Sequence, residues 1–175
     1  MFVTLEGGVV VIDYQDLMRR AYQLADDRST DISTKVGAVL VDPVDGEVMV
    51  AGVNSFTDPD MASDSRNYER PRKYQVTEHA ERAAIYSAAK CGTPTKGLIM
   101  VCFWACCSDC ARAIVLAGVP LVVAHKQAFE KTPERWREEI DIGLEILAGG
   151  GVTYHLFDGD INGVENLFNG EVWCP

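Results

Sequence analysis

The chain has 175 residues, a formal net charge of −10, 47% hydrophobic residues and 24% charged ones. That profile suits one soluble globular domain, and the excess of acids excludes broad binding to a polynucleotide, whose phosphates reward a basic surface. A small anionic ligand needs only a few local cations and stays compatible with it, and no apolar run is long enough to span a bilayer.

Met1–Ile12 is apolar but contains Glu6 and lacks a basic start and a small-residue cleavage site, so it reads as an N-terminal arm or strand rather than a signal peptide. Residues 13–27 place Leu17, Met18, Ala21, Tyr22 and Leu24 at helical spacing. Residues 36–41 and 48–53 are apolar strands around the turn Asp42-Pro43-Val44-Asp45-Gly46, which predicts a hairpin. Residues 54–73 are polar, with Pro59 and Pro71, and read as a long loop of the kind that often carries function.

Beyond the loop, residues 77–89 read as a helix, 98–103 as a strand, 108–117 as a helix and 119–124 as a strand. Residues 133–147 form an amphipathic helix stopped by Gly149-Gly150-Gly151, and 152–157 the last strand. The tail, 158–175, has no clear pattern. Strands alternating with helices after a hairpin imply a mixed sheet between helices, an α/β fold in a single domain over 1–175. The six cysteines come without an export signal, so a reduced core or metal ligation outweighs a disulfide framework, and the expected location is the cytoplasm.

Three of those cysteines crowd into Cys106-Cys107-Ser108-Asp109-Cys110, at the start of a predicted helix. Cys107-x-x-Cys110 puts two sulfurs on one turn, where the positive helix end favours thiolate. His79-Ala80-Glu81 opens another helix. One imidazole and two thiolates leave the fourth tetrahedral position of Zn2+ to water, the pattern of catalytic rather than structural sites. Glu81, two residues past His79, is placed to meet that water without being a ligand. His-x-Glu followed by Pro-Cys-x-x-Cys is the signature of zinc nucleobase deaminases; here Cys106 stands at the proline position and the pattern is otherwise complete. A redox pair or half of a structural zinc site would explain Cys-x-x-Cys alone, and chance His-x-Glu alone, but neither explains both in this order. Cys106 is within reach of the same turn; the spacing favours Cys107 with Cys110.

With Ser33-Thr34-Lys35-Val36-Gly37-Ala38-Val39, Arg70-Pro71-Arg72-Lys73-Tyr74, His79-Ala80-Glu81-Arg82, Cys107-Ser108-Asp109-Cys110-Ala111-Arg112 and the Arg135-Trp136 helix in this order, the chain resembles the zinc-dependent deoxycytidylate (dCMP) deaminase family over most of its length. The resemblance implies a cytidine deaminase-like three-layer α/β/α fold with a five-stranded mixed sheet. It also implies hydrolysis of dCMP to dUMP and ammonia, with Glu81 moving protons between water, N3 and the departing amine. The same resemblance implies a homo-oligomer, often a hexamer.

The family places an asparagine that binds sugar and base where Asn54 stands; the plain alternative is a turn residue after a strand. Arg70, Arg72, Lys73 and Tyr74 before the zinc helix, with Lys90 at its far end, form a candidate phosphate clamp, for which Arg66 serves equally well. Ala80 lies between His79 and Glu81, and Trp104 is placed to wall the base pocket or to be plain core. Three positions depart from the family: Ala83 where Asn is usual, and Ala105-Cys106 where an aromatic-Pro pair precedes the first zinc cysteine. The loop after Asn54 also lacks the Gly-rich stretch associated with regulation by dCTP and dTTP. Alternatives therefore stay open: dCTP accepted as well as dCMP, another base such as guanine or a tRNA adenosine, or a non-catalytic zinc module serving assembly.

Overall fold

The computed structural model describes residues 2–5 and 8–175. β1 (Phe2–Leu5) and β2 (Gly8–Val11) form an antiparallel pair, in keeping with an extended N-terminal arm; Met1, Glu6 and Gly7 lie outside the described residues. α1 (Tyr14–Arg28) is capped by Asp13, whose carboxylate accepts from the Asp16 amide at 3.0 Å, and it buries Leu17, Met18, Ala21, Tyr22 and Ala25. β3 (Gly37–Val41) and β4 (Val48–Val53) form the expected hairpin.

The main sheet adds β7 (Ile99–Cys102), β8 (Leu121–His125) and β9 (Thr153–Phe157) in the order β4-β3-β7-β8-β9. β3 runs antiparallel to β4 and β7, whereas β7, β8 and β9 are mutually parallel, so the sheet is mixed and five-stranded. β3 and β7 are buried at every position, as strands covered on both faces must be.

Two glycines set the layers. A Cβ on Gly37 would meet the backbone of Ala21 in α1, and one on Gly52 would meet the backbone of Ala80 and Ala84 in α3 (Ala80–Cys91). Gly52 pairs with Ala38, the neighbour of Gly37, and successive residues of a strand face opposite ways. Helices α1 and α3 therefore cover opposite faces of the sheet. α4 (Ser108–Leu116) packs between α3 and α6 (Arg137–Gly149), which completes the second helical layer.

The long loop is more ordered than its composition suggests. β5 (Ser55–Phe56) pairs with β6 (Thr77–Glu78), and two 3-10 turns, Pro59–Ser63 and Ser65–Tyr68, are capped by Asp58 and Asp64. α2 (Lys73–Val76) follows, so the helix expected from residue 77 begins only at Ala80: Thr77 and Glu78 are drawn into the small sheet. A short α5 (Lys126–Glu130) follows β8. The tail that showed no pattern contains a hairpin, β10 (Asn166–Phe168) with β11 (Glu171–Trp173). It docks on residues 33–35 through Lys35 N to Leu167 O (2.9 Å), Asn169 N to Thr34 Oγ1 (3.0 Å) and Gly170 N to Ser33 O (2.7 Å). Among the described residues no helix is long and apolar enough to cross a membrane.

Candidate metal centre and active site

His79 and Cys107 hold equivalent places, each the N-cap of its helix with extended backbone and no side-chain hydrogen bond back to the first turn. An N-cap is ordinarily Ser, Thr, Asp or Asn, which satisfies a free amide; here both side chains turn toward each other. His79 Nδ1 lies 3.4 Å from Cys107 Sγ and 3.5 Å from Cys110 Sγ, and the three donors fall within 4.8 Å of one another. Tetrahedral zinc, with Zn–S about 2.3 Å and Zn–N about 2.0–2.1 Å, sets N···S separations of about 3.6 Å. The donors fit the ion as they stand.

Electrostatics favour the same occupant. Two helix N-termini converge on the site and their dipoles support thiolate. A hydrogen bond with Cys110 holds the Cys107 thiol down to about 4, against the opposing effect of burial and with help from His79. The same bond, together with burial, pushes the Cys110 thiol up. Thiolate ligation of a metal releases such thiol protons. Arg82 bridges Glu78 (2.6 Å) and Asp109 (3.3 Å) and sets a cation beside the sulfurs.

Glu81 is 4% exposed, in the first turn of α3, and lines the same cleft as His79 and Cys107. Burial pushes its carboxyl up; the charge on His79 opposes this and that on Cys107 adds to it. Among the described residues it has no ion-pair partner. A buried carboxylate without an ion-pair partner beside a three-donor cluster is able to hold or release a proton at the reacting atoms.

Residues 12–126 match the family described as the cytidine and deoxycytidylate deaminase zinc-binding region. The chain belongs to this family. Among curated protein sequences no significant relative is found. Solved structures share the fold: dCMP deaminase from the cyanophage S-TIM5 in complex with dCMP and dUMP has 24% identity over 82% of this chain and 95% of that one, with a TM-score of 0.64. A diaminohydroxyphosphoribosylaminopyrimidine deaminase/5-amino-6-(5-phosphoribosylamino)uracil reductase from Thermotoga maritima has 23% identity over 83% of this chain and 36% of that one, with a TM-score of 0.57. A variant of NE0047 in complex with 8-azaguanine has 17% identity, coverage of 84% and 78%, and a TM-score of 0.54. At these identities the likeness is one of fold, and the fold is shared by proteins of different substrates.

For this deaminase-family chain, the structure brings Asn54, Arg70, Tyr74, Ala80 and Trp104 to the cleft of His79, Glu81 and Cys107. Lys90 is not among them: it is exposed, ten residues beyond Ala80 on α3, about 15 Å along the helix axis. Helix length carries it away from the cleft. Lys73 lines the cleft, but its ammonium is paired with Asp31 at 2.7 Å, and the two side chains are only 11% and 4% exposed. Arg72 donates to Asn67 and Arg66 is held by Asp64.

The Asn54 amide is fully engaged: its oxygen accepts from Ser29 Oγ (2.6 Å) and Val36 N (2.7 Å), and its NH2 donates to Thr34 O (2.7 Å) and Asp31 (3.3 Å). In this arrangement it ties the 31–36 loop to the end of β4. Asp31, Arg135 and Trp136 were not singled out as cleft residues from sequence, yet all three line it. The Ser33-Thr34-Lys35 run, one residue removed from Asp31, was the available signal for the first, an Asx turn in which Asp31 accepts from the Ser33 and Thr34 amides.

Proposed function

We propose that the protein hydrolytically deaminates a cytosine nucleotide, dCMP to dUMP with release of ammonia. The observation that carries this reading is the buried, ion-pair-free Glu81 carboxylate beside the His79–Cys107–Cys110 donor set; a structural zinc site needs no such acid. The resemblance in sequence motifs favours dCMP, and the cleft supports a planar base: Trp104 and Trp136 meet edge to face at 6.3 Å, and Tyr74 packs on Trp136 at 5.2 Å.

His79, Cys107 and Cys110 would hold Zn2+, which when bound supplies a Lewis acid and water activated near neutral pH. Glu81 takes a proton from the attacking water and hands it to N3 of the base as C4 becomes tetrahedral. The carboxylate then takes the remaining proton of the hydroxyl now on C4 and passes it to the amine, so that the C4–N bond breaks, ammonia leaves and the C4 carbonyl forms. Burial raises the basicity that both transfers use. Trp104, Trp136 and Ile140 keep bulk water from the ring.

The test is ammonia release from dCMP, CMP, dCTP, deoxycytidine and guanine at matched concentration. The expected result is turnover highest with dCMP. Glu81→Gln should retain one zinc per chain and lose at least about a hundredfold in kcat, the usual reach of a general acid–base group. Near-normal turnover in that variant, or no turnover of any cytosine compound by the zinc-loaded protein, would overturn the reading.

A further inference from the structure

We infer that the C-terminal hairpin is the element that reads the anionic end of the substrate, through Arg135, and this rests on the nucleotide-deaminase reading above. The hairpin lies beyond residues 12–126, which match the family, as does Arg135, although the Arg135-Trp136 pair belongs to the motif resemblance.

Charge bookkeeping at the cleft narrows the candidates. Three cations line it: Arg70, Lys73 and Arg135. Lys73 is neutralised by Asp31. Arg70 and Arg135 have no carboxylate within ion-pair distance among the described residues, in a chain with 26 acids against 16 basic residues. Both are exposed, whereas Glu81 is buried, so the uncompensated charge stands at the mouth and the acid at the floor. A ligand whose base reaches Glu81 while its other end carries a phosphate matches that polarity. Arg70 leans on Tyr74, with Cζ 5.9 Å from the ring centroid. Arg135 is held differently: its guanidinium donates to Asn169 Oδ1 at 2.6 Å. One of its five donors is used, and the remaining ones are free for a bidentate phosphate contact.

Asn169 is fixed in turn. Asn169-Gly170 is the two-residue loop of the β10–β11 hairpin, with φ of 53° and 87°, the left-handed pair that a tight type I′ turn requires. The backbone amides of that same loop donate to Thr34 and Ser33, which line the cleft opposite. The turn therefore bridges the 33–34 wall and the Arg135 wall, and it presents the guanidinium at a set position without neutralising it. Arg135 is a specificity-determining residue and Asn169 its positioning residue.

The test compares dCMP with deoxycytidine, which lacks the phosphate, in the zinc-loaded full chain. Arg135→Gln should lower the ratio of kcat/KM for dCMP over deoxycytidine at least tenfold. Asn169→Gly, which keeps a positive φ and deletes only the amide, should raise KM for dCMP several-fold with kcat unchanged. An unchanged ratio in Arg135→Gln overturns the inference. Binding separates it from the reading it rests on: dUMP and deoxyuridine are titrated against intrinsic tryptophan fluorescence, two of whose three sources, Trp104 and Trp136, line the cleft, with no reaction needed. If no cytosine compound is turned over, preference of the wild type for dUMP, lost in Arg135→Gln, still upholds Arg135 as the phosphate reader. No preference for dUMP over deoxyuridine in the wild type, or the same preference in the variant, overturns it.

Discussion

Lys73 separates two accounts of the cleft. By position it belongs to the cationic run before the zinc helix; by contact it belongs to Asp31. The Asp31 carboxylate collects five contacts: Oδ1 accepts from Ser33 N (2.7 Å), Thr34 N (3.0 Å) and Lys73 Nζ (2.8 Å), and Oδ2 from Lys73 Nζ (2.7 Å) and Asn54 Nδ2 (3.3 Å). Removing one partner of a buried pair costs about 3–5 kcal/mol, because the other charge stays desolvated. In Lys73→Met the carboxylate keeps its two backbone amides, so about 3 kcal/mol is expected, the lower end of that range. In Asp31→Asn the Lys73 ammonium, 11% exposed, loses its anion, which points to the upper end, about 4–5 kcal/mol. The double variant should recover part of the loss, since replacing both partners removes the uncompensated charge.

Urea unfolding of the zinc-loaded protein reads these values from the midpoint at constant slope. Coupling between the two sites, from the four corners of the cycle, should exceed about 1 kcal/mol. A Lys73→Met protein within about 0.5 kcal/mol of wild type, with KM for dCMP raised at least tenfold, would refute this account. It would restore Lys73 as a phosphate ligand.

Gly52→Ala should cost about 1–3 kcal/mol, the usual toll of overpacking, because its Cβ would strike the backbone of Ala80 and Ala84; zinc affinity by chelator competition should fall with it, as His79 and Glu81 sit on that turn. Glu139→Ala should weaken zinc retention, because Glu139 Oε1 accepts from Ser108 N (3.1 Å) and Oγ (2.5 Å) directly after Cys107; an unchanged chelator titration would count against it. His125 is buried, accepts from Tyr22 OH at 2.8 Å and donates to Gly159 O at 2.9 Å, and burial lowers its pKa despite Asp158 and Asp160 nearby. The unfolded chain therefore binds the proton first, and stability is full above about pH 6.5 and declines as pH falls below it. Melting temperatures between pH 7.5 and 5.5 should drop more steeply for wild type than for His125→Gln, and parallel slopes would contradict the assignment.

The His79–Cys107–Cys110 cluster was legible because its determinants are local. His79-x-Glu81 and Cys107-x-x-Cys110 each occupy one helix start, and a helix start fixes where its first side chains point. The sheet was legible for the same reason: apolar runs bounded by turns. What failed depends on contacts distant in sequence. Lys73 and Asp31 are 42 residues apart, and nothing near Lys73 announces that its charge is spoken for. Lys90, placed at the far end of the zinc helix as a clamp residue, is carried about 15 Å along the axis from the cleft by the helix itself. The tail hairpin was within reach, for Asn169-Gly170 between Asn166–Phe168 and Glu171–Trp173 is a turn signal. The strands it joins are only three residues each, too short for alternation to show.

The departure at Ala105-Cys106 has a physical answer in α6. Without proline to restrict the backbone, the turn that aims Cys107 needs another constraint. Gly143 supplies room for one: a Cβ there would meet the Cys106 carbonyl oxygen and the backbone of Cys107, so α6 lies directly against the turn. Four residues earlier on the same helix, Glu139 takes the Ser108 amide and hydroxyl, acting as the cap that Cys107 cannot provide while its sulfur faces His79. The next residue, Ile140, lines the cleft, and Arg135 and Trp136 line it from the turn just before the helix. One segment beyond residues 12–126 thus packs against the Cys107 turn, walls the cleft and positions a cation at its mouth. Changes in α6 should therefore move metal affinity and substrate preference together, whereas changes in the 59–68 turns, which hold Arg66 and Arg72 away in ion and amide pairs, should move neither.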